Sequence, residues 1–381
     1  MQVDRSVRVA IVNQLNTLGG VESCCVSLIK GLNHWGIIPD ILWDTEPDWQ
    51  LLMNAGVQTN YQPVRFLFPS PLIRKVPDTF KYLFQIGNII DGDNFRNQYD
   101  FFYIFYNGFL ISKDIPHIRY LSGPPLLPQL ETVSPGLRGI PFRTFRWLYE
   151  HILYRIRPVY EFHKESNYVI NSEFTADLFH EAHGVELRVI YPPIDFLNRS
   201  FALDDIEQRN TLTFFSRFVD YKRPEMVLEL ADLHRDMRCL LMGSVIPGQR
   251  IYFETLQATV EKKGIKNVTF LANPSNPRVK KELSHTLFFV FPTVNEHFGM
   301  VTPEAIASGA IPFVHDSGGQ KEIVPDTRLR FTDADFIDKF KLLTEKPRTE
   351  LNAIRLALNK HIQQFSEEVY INRMLSFIAD D

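Results

Sequence analysis

The feature that most constrains this chain is a strand and helix alternation that starts twice. "VRVAIV" (7–12) is short, apolar and β-branched, and after Gly19 and Gly20 the apolar residues recur at helical spacing. Strand, tight loop and helix open a doubly wound α/β unit. "DILW", "DFFYIFY", "IRYLSG", "NYVINS" and "RVIYPP" continue it as strands, the last closed by Pro192 and Pro193. From Ile194 to Asn210 the chain turns polar without a clear period, which predicts a linker. The alternation then restarts. "TLTFFSRF", "RCLLMGS", "NVTFLA" and "LFFVFPT" are separated by amphipathic helical segments, so a second parallel sheet is expected.

A chain of 381 residues favours two domains. The expected division is an N-terminal Rossmann-like domain over 1–193, a second over 194–360, and a C-terminal helix over 361–381 that packs back on the first. A net charge of −4 argues against a dedicated nucleic-acid binder. Cys24, Cys25 and Cys239 give neither a disulfide framework nor a zinc spacing, which fits a reducing compartment. The first residues lack the apolar run of a signal peptide, and no stretch of about 18 apolar residues follows. A cytoplasmic protein is expected, peripheral on the cytoplasmic face of a membrane if it docks there.

Two doubly wound domains side by side would leave a crevice at the carboxyl ends of their strands, where ligands bind. Three loops there carry unusual residues. Gly19 and Gly20 precede a helix expected to begin near Val21; they would let the backbone approach a ligand and offer an anion free N–H groups. A plain turn between strand and helix reads equally well. In "FFSRFVDYKRPE", Arg217 and Lys222 flank the strand exit beside a helix start marked by Pro224, where two cations would neutralise a diphosphate leaving group. The other reading is a pair of solvated surface charges.

The third loop is the most specific: "VNEHFGMVTPEAIASG". Thr302 is the expected N-cap of a short helix, with Pro303 at its first position and Glu304 in its first turn, where a carboxylate can take two ribose hydroxyls. Glu296 would reach the donor sugar or its phosphate. Gly299 would let the amides of Met300, Val301 and Thr302 face a phosphate, with His297 and Phe298 walling the pocket. The bland alternative is a capping carboxylate and a surface acid. The order aromatic, glycine, proline and second acid, followed by "HDSGGQKEIV", is more specific than any one of its members.

At these residues the chain resembles the retaining glycosyltransferases of family 4, nucleotide-sugar enzymes of the GT-B fold. The resemblance lies in Glu296 and Glu304 with seven residues between them, in "RFVDYKRPE", in "LGGVE" and in Gly318 and Gly319. It implies an α/β fold of two Rossmann-like doubly wound domains facing across a cleft, the N-terminal one binding the acceptor and the second the nucleotide sugar. It also implies that Arg217 and Lys222 bind the donor diphosphate, Glu304 the ribose and Glu296 the sugar side. Gly19 and Gly20 would approach the phosphate or sugar from the other domain. "NEHFGM" and "VHDSGGQKEIV" look most like the lipid-linked oligosaccharide α-1,2-mannosyltransferases that use GDP-mannose, with a UDP-sugar as the open alternative. Many family members place a histidine after the strand that here reads "IRYLSGPP"; in this chain Ser122 stands there, and His117 lies before the strand.

The implied chemistry is transfer of a hexosyl group to a glycan or lipid-linked acceptor with retention at the anomeric carbon. The departing phosphate helps deprotonate the acceptor, and cations and helix N-termini stabilise its growing charge. No metal and no cofactor are expected. Three other readings compete. Asp91-Gly92-Asp93 spells a manganese-binding pattern of a different transferase fold, or a polar turn. Residues 136–160 mix arginines with aromatic residues, which suits either docking on an anionic membrane or a helix packed into the first domain. A nucleotide-sugar epimerase or a non-catalytic binder could use the same scaffold.

Overall fold

A computed structural model of the protein describes residues 6–16, 19–65, 90–105, 109–112, 114–123, 167–194 and 203–379. The basic and aromatic stretch 136–160 lies outside the described residues. The chain divides into two compact units, Met1–Pro193 with Glu367–Asp381, and Ile194–Ser366.

The strands of the first unit are, in chain order, β1 (Val9–Val12), β2 (Asp40–Trp43), β3 (Asn60–Pro63), β4 (Ile90–Asp91), β5 (Phe101–Ile104), β6 (Phe109–Leu110), β7 (His117–Leu121), β8 (Tyr168–Ile170) and β9 (Arg188–Val189). Seven of them form a parallel sheet in the order β3-β2-β1-β5-β7-β8-β9, and β4 pairs with β6 apart from it. Every residue of β1, β5 and β7 is buried; β1 and β5 are continuous apolar runs, as a parallel sheet covered on both faces takes, while β7 also buries His117 and Arg119. At the edge, β3 reads Asn-Tyr-Gln-Pro and is partly exposed, a composition that carries no strand signal.

The helix Glu367–Leu375 completes this unit. It lies so close to the helix Gly20–His34 that a Cβ on Gly31 would fall 2.4 Å from Cγ2 of Ile371. Tyr370, Met374 and Leu375 join the core formed by Cys25, Ile29 and Tyr103. Tyr103 donates its hydroxyl to Met374 O at 2.9 Å, and Glu367 receives Ser27 Oγ at 2.7 Å and Lys30 Nζ at 2.9 Å. All three cysteines are buried thiols, and burial pushes Cys24 and Cys239 up to about 12.

The second unit holds β10 (Thr211–Phe215), β11 (Arg238–Gly243), β12 (Val268–Ala272), β13 (Thr286–Phe291), β14 (Ile311–His315) and β15 (Arg330–Phe331). They make one parallel sheet ordered β12-β11-β10-β13-β14-β15. Each large sheet thus reverses its strand order beside its first strand, between β1 and β5 and again between β10 and β13.

The second unit runs to Ser366, past residue 360, because Ile362 and Phe365 are buried in it and Ile194 N donates to Phe365 O at 2.9 Å. Of the polar stretch before β10, residues 203–210 are described. Ile206 is buried, and Arg209, 3% exposed, donates to Thr286 O at 2.9 Å and Ser308 O at 3.1 Å. The Arg209 guanidinium bonds two backbone carbonyls through Nη1, a partnering that composition does not show.

The Asp91-Gly92-Asp93 triplet is a capped turn. Asp91 accepts from Asp93 N at 3.2 Å to start a 3₁₀ turn, and Asp93 accepts from Ser112 N at 2.7 Å and from its hydroxyl. Among the described residues no helix is long and apolar enough to cross a membrane.

Candidate active site

In an open parallel sheet the crevice lies where neighbouring strands send their chains in opposite directions. In the second unit that point is between β10 and β13, which pair directly (Leu212 with Phe288, Thr213 with Phe289). The loop leaving β10 carries Arg217 and Lys222, and the loop leaving β13 carries Glu296. The sheet therefore joins two segments that are distant in sequence.

Lys222 closes a short 3₁₀ turn, Asp220–Lys222, and is 7% exposed. Its Nζ donates to Glu296 Oε2, and it lies 5.3 Å from the ring centroids of Tyr221 and Phe291. A lysine so enclosed needs an anion and aromatic faces in place of water. Arg217 is exposed and donates to the Tyr221 hydroxyl at 2.8 Å. Arg217, Tyr221, Lys222 and Glu296 thus form one connected array. Arg223 follows in the left-handed region, φ 55°, and turns the chain into the helix Pro224–Leu233, with Pro224 at its first position.

The Glu296 loop is held by the segment that follows β14. Gly318 has φ +65°, and a Cβ there would fall 2.4 Å from Glu296 O. Gly319 N donates to Glu296 O at 2.8 Å. Gln320, fully buried, donates to Phe298 O at 2.7 Å and accepts from Thr302 Oγ1 at 2.7 Å. The glycine pair and the glutamine after it form the bed on which Glu296 rests.

Some sequence expectations change here. The helix is Val301–Ala307 with Met300 as its N-cap, so Thr302 and Pro303 lie inside the first turn. Gly299, φ +88°, starts the turn two residues early, and Thr302 N donates to Gly299 O at 3.0 Å. The amides at the helix start are therefore those of Met300 and Val301, while Thr302 is a buried support. Phe298 is 2% exposed and packs edge-on against Phe365 at 5.3 Å, as a core residue. His297 and Glu304 are partly exposed, Glu304 in the first helical turn. Burial holds the His297 imidazole below its usual range, with Glu296 opposing and Lys222 adding to the effect.

In the first unit, Gly19 is the N-cap of a helix that begins at Gly20, one residue before Val21. Its carbonyl accepts from Ser23 N at 3.0 Å and Ser23 Oγ at 2.9 Å. Ser122 is exposed directly after β7, its carbonyl accepting from Asn171 Nδ2 at 2.9 Å. His117 is the first residue of β7 rather than preceding it, and is buried. Sequence reasoning missed Tyr221 and Gln320. Both stand within the recognised motifs, but their roles depend on contacts that spacing does not show.

Residues 197–360 match the family described as Glycosyl transferases group 1. That match covers less than half of the chain. The GDP-Man:Man(3)GlcNAc(2)-PP-Dol alpha-1,2-mannosyltransferase of Neurospora crassa is 27% identical to it over 220 residues, 50% of this chain and 38% of that protein. The Dictyostelium discoideum protein of the same description is 25% identical over 177 residues, 42% of this chain and 34% of that one. The matches thus span well under half the length of these curated relatives. The crystal structure of Anabaena Alr3699/HepE in complex with UDP and glucose superposes with a TM-score of 0.67 at 16% identity, covering 97% of this chain and 98% of that one. The two Rossmann-like units of this chain have the fold of these GT-B structures.

Proposed function

We propose that the protein is a retaining glycosyltransferase that moves a hexosyl group, mannose from GDP-mannose by preference, to a glycan or lipid-linked acceptor. The observation that carries this reading is the enclosed Lys222–Glu296 pair where β10 and β13 part. A buried cation and carboxylate, extended to the surface through Tyr221 and Arg217, suit a ligand with a diphosphate and a hydroxylated ring. Arg217 and Lys222 take the diphosphate, the start of the helix Val301–Ala307 adds backbone donors, Glu304 takes the ribose and Glu296 the donor sugar. These cations compensate the leaving group's growing charge, and the departing phosphate receives the acceptor proton. Preference for GDP-mannose draws on the mannosyltransferase relatives.

Thermal unfolding with GDP, GDP-mannose, UDP and UDP-glucose tests the donor. A ligand at a hundredfold excess over its dissociation constant adds about 2.7 kcal/mol. Stabilisation by GDP and GDP-mannose alone supports the reading; stabilisation by the uridine pair alone replaces the donor. Consumption of donor without acceptor, giving a second nucleotide sugar, would replace transfer by epimerisation. Turnover that collapses in excess EDTA and returns with a divalent cation would overturn the metal-independent mechanism.

A further inference from the structure

Behind the Glu296 loop, a second set of side chains forms a closed circuit. Asn295 adopts left-handed backbone, φ 52°, and its N–H donates to Ser317 Oγ at 2.7 Å. Ser317 Oγ lies 2.8 Å from Nδ1 of His315, the last residue of β14. The other ring nitrogen, Nε2, is 3.5 Å from Asp333 Oδ1. That same oxygen accepts from Nη2 of Arg223 at 2.7 Å, and Nη1 of Arg223 reaches Pro292 O at 3.4 Å. The circuit therefore leaves the Glu296 loop at Asn295 and returns to it at Pro292. Its far corner, Arg223, is the residue next to Lys222.

We infer that His315 is a positioning residue for the reaction proposed above. Through Ser317 it fixes the backbone that presents Glu296, and through Asp333 and Arg223 it ties that backbone to the segment presenting Lys222; the inference rests on that functional reading. His315 is suited to this because it alone in the circuit offers two polar atoms on opposite edges of a rigid ring. Its side chain is 12% exposed and stands edge-on to the Phe331 ring at 5.6 Å, which limits its rotation. The Asp333 carboxylate can only accept, so the neutral ring that serves both contacts carries its hydrogen on Nε2, and Ser317 Oγ, while accepting the Asn295 N–H, gives its hydroxyl proton to Nδ1. This is a neutral imidazole. Burial favours that form, with Asp333, Asp316 and Asp335 opposing and Arg223 reinforcing it. Second-layer partners of this kind set the orientation of the groups that meet substrate.

The test uses the full chain with ¹⁵N-labelled histidine rings, His315 being assigned from the spectrum of His315→Asn. Wild-type protein at neutral pH should show a single neutral Nε2–H tautomer at His315, and Ser317→Ala should mix the two tautomers. A charged ring or an Nδ1–H tautomer in wild type overturns the circuit. In the transfer assay His315→Asn and Ser317→Ala should each lower kcat, by between ten- and about a hundredfold, as misplacement of a reacting group does. Donor KM should move less than kcat, since both variants leave the donor-binding side chains in place and alter only how firmly they are held. The double variant should be no worse than the poorer single one. Losses that multiply, or a change in KM alone, overturn the positioning role. Wild-type protein that transfers no sugar overturns the proposed function and the positioning role with it, whereas the tautomer decides the circuit independently.

Discussion

Lys222 and Glu296 meet in an ion pair 74 positions apart in sequence, each mostly screened from water. Their meeting follows from strand order: β10 and β13 are neighbours, so the loops that leave them share one crevice. A charge pair in this setting is costly to break from one side. Lys222→Ala should lower stability by about 3 kcal/mol, because the Glu296 carboxylate is left enclosed without its cation. Sugar transfer should be nearly abolished while the circular dichroism spectrum stays native. Urea unfolding and a donor turnover assay check both; unchanged turnover would remove Lys222 from the site.

Gly318→Ala should cost about 2 kcal/mol or more, because the residue sits in left-handed backbone and the added methyl meets backbone that cannot give. Glu296 O lies 2.4 Å and Glu296 N 2.7 Å from where that methyl would be. A melting temperature equal to wild type would show that the loop can open at this point.

Gln320→Leu keeps the volume but removes both hydrogen bonds, to Phe298 O and from Thr302 Oγ1. Leaving two buried polar groups unmet should cost about 2 kcal/mol. Transfer should fall with it, since the Glu296 loop rests on this side chain. Calorimetry paired with turnover measures the two effects; a loss of stability with full activity would separate the support from the site.

Acid should weaken the first unit through His117. Burial lowers this imidazole to about 4, the hydrogen bond to Ile115 O opposes the fall and the Arg119 charge adds to it. The folded value lies below the ordinary 6.5, so protonation favours the unfolded chain. The contribution is complete above that ordinary value and is lost as pH falls toward the folded one, on the order of 3 kcal/mol in all. Unfolding free energies measured across that window should drop in wild type and drop less in His117→Asn.

The fold was legible where burial dictates composition. Runs such as "VRVAIV" and "LFFVFPT" are apolar because their strands are covered on both faces, and they announce β1 and β13 directly. Edge elements were not legible: β3 carries Asn60 and Pro63, and β15 is only Arg330–Phe331. At the site, Glu296, Glu304, Arg217 and Lys222 stood out by spacing and type. Tyr221 and Gln320 did not, since a tyrosine beside a lysine and a glutamine after two glycines are ordinary until a neighbouring strand brings their partners. The expected cap at Thr302 failed for a local reason. Gly299 bends the chain early enough for the helix to start without a side-chain cap.

The helix Glu367–Leu375 belongs to the first unit but follows the whole of the second in sequence. During synthesis, the helix Gly20–His34 therefore leaves the ribosome long before its partner exists. Until then the groove at Gly31 and the apolar side chains of Cys25 and Ile29 lack Tyr370 and Met374. The nascent first unit must wait with an open seam while the second is made, an interval in which exposed apolar surface invites chaperones or misassembly. The last helix acts as the closing clasp of a domain begun at the other end of the chain.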